Sequence, residues 1–252
     1  MISPLQILLD PSTLFVIGLY ALLLACERIA PGRPLPKIRG WWLSGLVAFF
    51  AYLMISAYLP LLWGNLLAPL RIAELSDWPI WAAAGVGVLV YECIAYAYHR
   101  AVHAFMPLWR VAHQMHHSSE RLDVSSAFWF SPMDMAGWTL VPSLMLALVG
   151  LPAQAATTAL LFIAFLGVFQ HANLKTPRWL GYLIQRPESH SVHHQRGQHR
   201  YNYADLPVID MLFGTFRNPP DHVAETGFWH GASGRVADML LARDVEKVRS
   251  PE

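Results

Sequence analysis

Long apolar stretches alternate with short polar ones over the first two thirds of the chain, and the last third has no long apolar stretch. An α-helix rises about 1.5 Å per residue and needs about 20 apolar residues to cross a bilayer. Stretches near that length predict membrane helices, and they are residues 13–29, 41–63, 78–98, 133–150 and 154–172. The chain is therefore predicted to be an all-α, polytopic membrane protein.

The last two apolar stretches are joined by Gly150-Leu151-Pro152, which is typical of a tight reversal. They predict a helical hairpin that either crosses the bilayer or dips partway into it. We therefore expect about four transmembrane helices, or five if the hairpin spans. Residues 99–131 and 173–252 are polar and are predicted to form a helical cap on one membrane face. We find no internal repeat and predict a single domain over residues 1–252.

Composition supports this class of protein. Hydrophobic residues make up 55% of the chain and charged residues only 14%, whereas a soluble domain has about 25% charged residues. The ten tryptophans and nine tyrosines are typical of residues at membrane–water interfaces. A net charge of +1 provides no electrostatic basis for binding nucleic acid, so we exclude a nucleic-acid partner.

Lysine and arginine fall in alternate links between the apolar stretches. Residues 28–39 and the two polar blocks hold most of them, whereas residues 64–77 and 150–153 hold few. Basic links remain on the cytoplasmic side of a membrane. This predicts that the N-terminus lies outside and that the polar blocks lie on the cytoplasmic side.

Nine of the twelve histidines fall in clusters with helical spacing or next to an apolar stretch. Residues three or four apart share one face of a helix, and neutral imidazole is the commonest metal ligand in proteins. The clusters therefore predict a metal centre on the predicted cytoplasmic side. The predicted ligands are His99, His103, His113, His116, His117, His171, His190, His193 and His194.

Nine imidazoles exceed what a single ion binds, since a zinc site takes about four protein ligands. Two ions are therefore predicted. Imidazole suits zinc, copper, iron and nickel, and neither H-E-x-x-H nor Glu-x-x-His occurs in the chain. The residues alone leave the metal open. His199 follows the last cluster by five residues and is a further candidate ligand.

Several motifs, in order, resemble the fatty acid hydroxylase superfamily, which is also called the sterol desaturase family. One departure concerns residues 128–132, where many members have an arginine and a His-Pro step. This departure leaves the substrate subgroup open. The motifs that carry the resemblance are Tyr98-His99-Arg100-Ala101-Val102-His103, His113-Gln114-Met115-His116-His117-Ser118, Gln170-His171-Ala172-Asn173-Leu174, His190-Ser191-Val192-His193-His194, Asn202-Tyr203 and Asp210-Met211-Leu212-Phe213-Gly214-Thr215.

The resemblance implies an integral membrane monooxygenase of the bacterial inner membrane with a non-haem di-iron centre. Its cofactors would be two Fe ions and O2, although recombinant protein could carry zinc. It would hydroxylate a C–H bond of a membrane lipid, either a fatty acyl chain, a sterol or a related lipid. An external electron donor such as a ferredoxin or a cytochrome would be needed, because the chain has no nicotinamide or flavin fingerprint.

Two alternatives remain open at this stage. A lipid desaturase could use the same di-iron centre, and the two reactions differ in whether oxygen is inserted or a second hydrogen is removed. A non-enzymatic metal- or haem-binding membrane protein, such as a transporter, belongs to a different class. It would need ionisable residues in several spans, but only Glu92 clearly interrupts one.

Polar residues near the histidines are candidates for orienting the ligands. Glu92 lies seven residues before His99 on the same helix face, which favours a supporting or pocket role. Asn173, Asn202 and Asp210 are weaker candidates of the same kind, and Asp205 is another.

Other charged residues are interpreted as structural. Asp134 is predicted to cap a helix and Glu188 to be a solvated charge. Arg100 is predicted to form a salt bridge or to contact a lipid headgroup. The run 236–249 has an apolar stripe and is predicted to pack on the cap or lie at the membrane surface.

Overall fold

A computed structural model describes residues 3–247, and the elements in this part of the chain are mainly helical. The longer helices occupy the apolar stretches, with short helices before and between them. In chain order these are α1 (Pro4–Leu8), α2 (Pro11–Ile29), α3 (Trp41–Tyr58), α4 (Pro60–Leu67), α5 (Ile80–Ala104), α8 (Pro132–Leu148) and α9 (Ala153–Phe169). The cap contains α6 (Met106–Leu108), α7 (Gln114–His117), α10 (Pro187–His193), α11 (Pro207–Leu212) and α12 (Val236–Leu240).

Three helical segments among the described residues are long and apolar enough to cross a membrane. They are α2, the continuous segment Trp41–Leu70, which includes α3 and α4, and α5 with 25 residues. The hairpin helices α8 and α9 have 17 residues each. The predicted all-α, polytopic fold is confirmed, and the protein is an integral membrane protein. Whether the hairpin spans the bilayer stays a prediction.

Local sequence explains where the helices begin. Asp10 Oδ1 accepts a hydrogen bond from the backbone N–H of Ser12 at 2.9 Å, and Pro11 opens α2. Ser131 caps α8 in the same way, with Pro132 as its first residue. Proline suits the first helical turn because it has no N–H to leave unpaired. The third predicted span continues without a break to Ala104, so the first histidine pair lies on α5 itself.

The helix α5 packs against both arms of the α8–α9 hairpin. Small residues such as Ala83, Ala84 and Ala95 on α5 are buried against Ala155 and Ala159 of α9. Small side chains let membrane helices approach closely, and van der Waals packing then stabilises the pair. This packing holds the histidine-bearing end of α5 beside the end of α9.

Two short strands tie the helices together at the membrane face opposite the histidines. Strand β1 (Ala73–Glu74) pairs in parallel with β2 (Val149–Gly150), which lies in the α8–α9 turn. The ends of the exposed Arg71 and Glu74 side chains lie over Gly150 and would have to move aside for a larger residue there.

The links after α2, α5 and α9 meet on the other face and form the cap. Asn173 Nδ2 donates to the carbonyl of Arg33 at 2.8 Å, and Arg121 Nη1 donates to the carbonyl of Pro36 at 2.8 Å. The C-terminal run packs on this cap through Met239, which is buried. Residues 248 and 249 of that run lie outside the described residues.

Candidate metal centre

Four segments position the nine histidines. Residues 99 and 103 lie on the last turns of α5, residues 113–117 span a π-helical turn (Trp109–His113) and α7, and residues 190–194 lie on α10 and its C-terminal cap. His171 follows the end of α9. Single π-helical turns occur frequently at functional sites. Here the turn directs the second cluster back over the end of α5.

The structure brings all nine predicted residues together in two groups. Within each group, one ring nitrogen of every residue lies within 4.8 Å of the others. Group one consists of His99, His103, His113, His117 and His193; group two consists of His116, His171, His190 and His194.

The hydrogen bonds of group one show that its ring nitrogens suit a cation. His99 Nδ1 donates to the carbonyl of Tyr203 at 2.8 Å, and His113 Nδ1 donates to Asp134 Oδ2 at 2.7 Å. A neutral imidazole has one N–H, so both Nε2 atoms present lone pairs. These Nε2 atoms lie 3.0 Å apart. Two nitrogens bound to one ion at about 2.0–2.1 Å are separated by about this distance, whereas two bare lone pairs would repel.

Group two has the same feature. His171 Nδ1 donates to the carbonyl of Gly167 at 2.7 Å, which leaves a lone pair on Nε2. That atom lies 3.1 Å from Nε2 of His116 and 3.1 Å from Nε2 of His190. Several ring nitrogens in both groups are buried without a partner among the described residues, including Nε2 of His193. The donor sets therefore fit metal ions.

The histidines outside the membrane helices are held in the neutral form that binds metal. Burial, with the neighbouring imidazoles, lowers the pKa of these rings well below the usual range because a charged ring cannot be solvated there. This applies to His116, His117, His190, His193 and His194. The site can therefore present several neutral nitrogens to a cation at once.

A cavity of about 450 Å³ ends at the histidines. His99, His116, His171 and His190 line one end, and the cavity runs between α2, α3, α8 and α9 toward Pro60 at the opposite side. Its remaining wall is mainly apolar and aromatic. Such a shape and lining suit a long apolar ligand.

Residues 84–215 match the family model for fatty acid hydroxylase. The chain belongs to the fatty acid hydroxylase family. The matched stretch contains all nine histidines, and the family predicted from the sequence motifs is confirmed. No solved structure gives a significant match.

Curated relatives of the chain include lipid-modifying proteins. It is 31% identical to ornithine lipid hydroxylase OlsE of Rhizobium tropici over 66% of this chain and 50% of that protein. It is 30% identical to human alkylglycerol monooxygenase over 81% of this chain and 47% of that protein. Identity to very-long-chain aldehyde decarbonylase GL1-5 of Oryza sativa subsp. indica is 26%, over 64% of this chain and 29% of that protein. The chain spans about half the length of these relatives or less.

Asp134 is the residue near the histidines that the sequence interpretation missed. It is fully buried, and its Oδ1 accepts a hydrogen bond from the Tyr98 hydroxyl at 3.1 Å while its Oδ2 accepts from His113. The helix cap predicted there is provided by Ser131 instead. A carboxylate within an apolar stretch was the available signal, since such a group needs a partner.

The predicted supporting residues contact the backbone around the site instead of the histidine rings. Glu92 Oε2 accepts from the backbone N–H groups of Asp205 and Leu206 at 2.9 and 3.0 Å. Asp210 accepts from the N–H groups of Tyr203 and Ala204, both at 2.9 Å. Both carboxylates therefore hold the loop of residues 203–206, and the carbonyl of Tyr203 in this loop orients His99.

The two predicted asparagines are further from the rings. Asn202 Nδ2 donates to the carbonyl of Ser189 at 2.7 Å and so ties the next loop to α10. Asn173 bonds to both backbone groups of Arg33. Both residues therefore stabilise the cap that carries the histidines.

The structure bears on three further expectations, and for Arg100 the contact with a lipid headgroup stays a prediction. Glu188 is not a solvated charge: it is fully buried and accepts from Arg186 Nε at 2.8 Å, because the ion pair replaces its hydration. His199 Nδ1 lies 3.2 Å from His117 Nδ1, but His199 is in neither group. Arg100 donates to the Tyr96 hydroxyl at 2.9 Å, and among the described residues it has no carboxylate partner.

Proposed function

We propose that this protein is an O2-dependent, non-haem di-iron oxidoreductase that hydroxylates a C–H bond of a membrane lipid. The convergence of buried histidine lone pairs at the end of an apolar cavity is the observation that carries the proposal. An alkyl chain gains free energy by leaving water for such a cavity. The family membership and the relatives' names support the same reaction.

Each histidine group would hold one ion. Iron at these positions would supply the redox chemistry that O2 activation requires and that zinc lacks. The protein's own contribution is to fix the rings before metal binds: the carbonyls of Tyr203 and Gly167 and the carboxylate of Asp134 each accept one ring N–H. Such contacts fix the tautomer, so that Nε2 faces the ion.

Aromatic residues of the cavity wall would exclude water and guide the substrate chain. The Phe130 ring centroid lies 4.7 Å from that of His116, and Trp138 lies 5.3 Å from His99. Both side chains also line the cavity. A substrate chain in the cavity would therefore end against these rings, with its reacting carbon beside the metal-binding nitrogens.

Hydroxylation is favoured over desaturation by the relatives, two of which are named as a hydroxylase and a monooxygenase. We further propose that the cap lies on the cytoplasmic side of a bacterial inner membrane, following the distribution of lysine and arginine. A soluble donor such as a ferredoxin, or a cytochrome, would then deliver electrons from that side.

The test is lipid mass spectrometry of membranes that contain the protein, with iron, a reducing system and isotopically labelled O2. We expect a lipid that gains one labelled oxygen atom. A loss of two hydrogens without oxygen would instead assign a desaturase.

Two histidine variants make the comparison specific. The His116→Ala variant removes a ring from group two and should abolish the product. The His230→Ala variant removes a histidine whose side chain is 86% exposed and should leave the product unchanged. The proposal would be contradicted if membranes with the wild-type protein contained no labelled lipid. It would also be contradicted if the His116→Ala variant formed as much product as the wild type.

A further inference from the structure

One polar pair interrupts the apolar wall at the histidine end of the cavity. Gln170 and Asp205 both line the cavity, as do His171 and His190. Gln170 immediately precedes His171 in the chain, and its Nε2 donates to Asp205 Oδ1 at 2.7 Å. Of the described residues that line the cavity, only Asp205 carries a carboxyl group. Its Oδ2 accepts no hydrogen bond from the described residues, so this oxygen is free to act on a group inside the cavity.

The backbone holds this carboxyl group in a fixed position. The N–H of Asp205 donates to Glu92 Oε2, and its carbonyl accepts from the N–H of Gln185 at 2.7 Å. The two preceding N–H groups are held by Asp210. A side chain on so constrained a loop is pre-organised, as the groups of a functional site are.

Burial, together with neighbouring acidic groups, favours the protonated form of Asp205. Glu92 on α5 and Asp210 on α11 are the neighbouring carboxyl groups, and Tyr91 on α5 also faces it. Burial raises the pKa of Asp205 to about 6, with the Gln170 hydrogen bond opposing this rise and Asp210 adding to it. A general acid works best when its pKa lies near the operating pH.

The proposed reaction needs protons at this end of the cavity. One atom of O2 enters the C–H bond to give an alcohol, and the other leaves as water. This takes two electrons from the external donor and two protons. Tyr203 also lines the cavity, but burial raises the pKa of its hydroxyl, so it is a much weaker acid than a carboxylic acid. Among the described residues of the wall, Asp205 is therefore the better source of these protons.

We propose that Asp205 is a proton donor of this reaction, and that it delivers a proton from Oδ2 to the oxygen atom that leaves as water. The carboxylate that remains is stabilised by Gln170 and takes up a new proton from solvent before the next turnover. This inference rests on the proposed function.

The first test uses the protein loaded with zinc, so that it does not depend on turnover. Infrared titration should show a carboxylic acid signal with a midpoint of about pH 6, and this signal should be lost in Asp205→Asn. In Gln170→Leu the midpoint should rise, because the hydrogen bond that lowers the pKa is gone. A midpoint near the ordinary value of about 4, or no signal that Asp205→Asn removes, would overturn the proposal.

The second test measures turnover of the iron-loaded protein. Asp205→Asn keeps the size of the side chain and an oxygen that can accept from Gln170, but it has no acidic proton. We expect a fall in kcat of about 10²–10⁴-fold, little change in KM, unchanged metal content and a larger solvent isotope effect. Asp205→Glu should restore part of the rate. The matched control is Asp221→Asn on the cap surface, where the carboxylate side chain is 68% exposed.

Three results distinguish failure of the proton-donor role from failure of the proposed function. Wild-type turnover and isotope effect in Asp205→Asn would overturn the proton-donor role while leaving the proposed function intact. A raised KM with normal kcat would overturn it in favour of substrate binding. A wild-type protein that oxidises no lipid would refute the proposed function itself and remove the need for a donor.

Discussion

The contact between Asp134 and His113 makes a prediction about metal affinity. Replacing Asp134 with alanine removes the acceptor of the His113 Nδ1–H, which is fully buried and has no access to water. The ring then loses both its orientation and the carboxylate that favours its N–H on Nδ1. His113 belongs to group one, so the change should weaken binding there and leave group two intact.

The magnitude follows from the cost of the lost hydrogen bond. A hydrogen bond to a charged group contributes about 1.5–3 kcal/mol, and about 1.4 kcal/mol corresponds to a tenfold change in affinity. The affinity of group one should therefore fall about 10–100-fold, which is also the usual effect of removing a partner of a ligating histidine. In Asp134→Asn the amide oxygen can still accept the ring N–H, so most of the affinity should remain.

Competition with a chelator measures the metal affinity of group one directly. The detergent-solubilised protein is loaded with metal, titrated with a chelator and analysed for metal per chain. Asp134→Ala should release one ion at lower chelator concentration than wild type and the second ion at the same concentration. Asp77→Ala, in an exposed loop on the opposite face, is the control. Identical release curves for Asp134→Ala and wild type would refute the reasoning.

Other features lead to further predictions. Iron-replete protein should contain about two irons per chain by elemental analysis, and a value of one or less would exclude a dinuclear centre. Glu92→Ala should lower the free energy of unfolding by about 1–3 kcal/mol for each backbone N–H that is left buried and unpaired. Glu92→Gln should lower it less, because the amide oxygen can still accept a hydrogen bond from these N–H groups. Ala164→Trp narrows the cavity. This variant should therefore oxidise lipids with shorter chains than the wild type does, as judged by lipid mass spectrometry. Burial lowers the pKa of His199 to about 4, below the unfolded value of about 6.5, so the unfolded state binds more protons and the free energy of unfolding should fall as pH drops through this window. In His199→Gln the free energy of unfolding should fall less steeply with decreasing pH, as measured by thermal unfolding at several pH values.

Periodic features were predictable from the sequence, and contacts between distant segments were not. The apolar stretches indicated the helices, and the charge within one of them marked Glu92 for a structural or functional role. Asp134 was misinterpreted because its partner His113 lies on a different element, and no local spacing reports that contact. Glu188 was assigned to solvent although its ion-pair partner Arg186 lies only two residues away. The burial of this pair depends on distant segments of the cap, such as Thr176, whose N–H donates to Glu188.

The division of the histidines into two groups follows from helix geometry. Side chains on an α-helix turn by about 100° per residue, so residues four apart stay on one side while adjacent residues diverge. Accordingly, each pair four apart shares a group: 99 with 103, 113 with 117, and 190 with 194. His116 and His193, each adjacent to the last member of a pair, belong to the opposite group from that pair.

Each of the two H-x-x-H-H clusters therefore contributes to both groups. The 113–117 cluster supplies two rings to group one and one ring to group two, and the 190–194 cluster does the reverse. Neither group can be complete unless both clusters are in place against α5 and the end of α9. Because the clusters lie on the cap and the other histidines lie at the ends of membrane helices, docking of the cap and assembly of both histidine groups must be one coupled event.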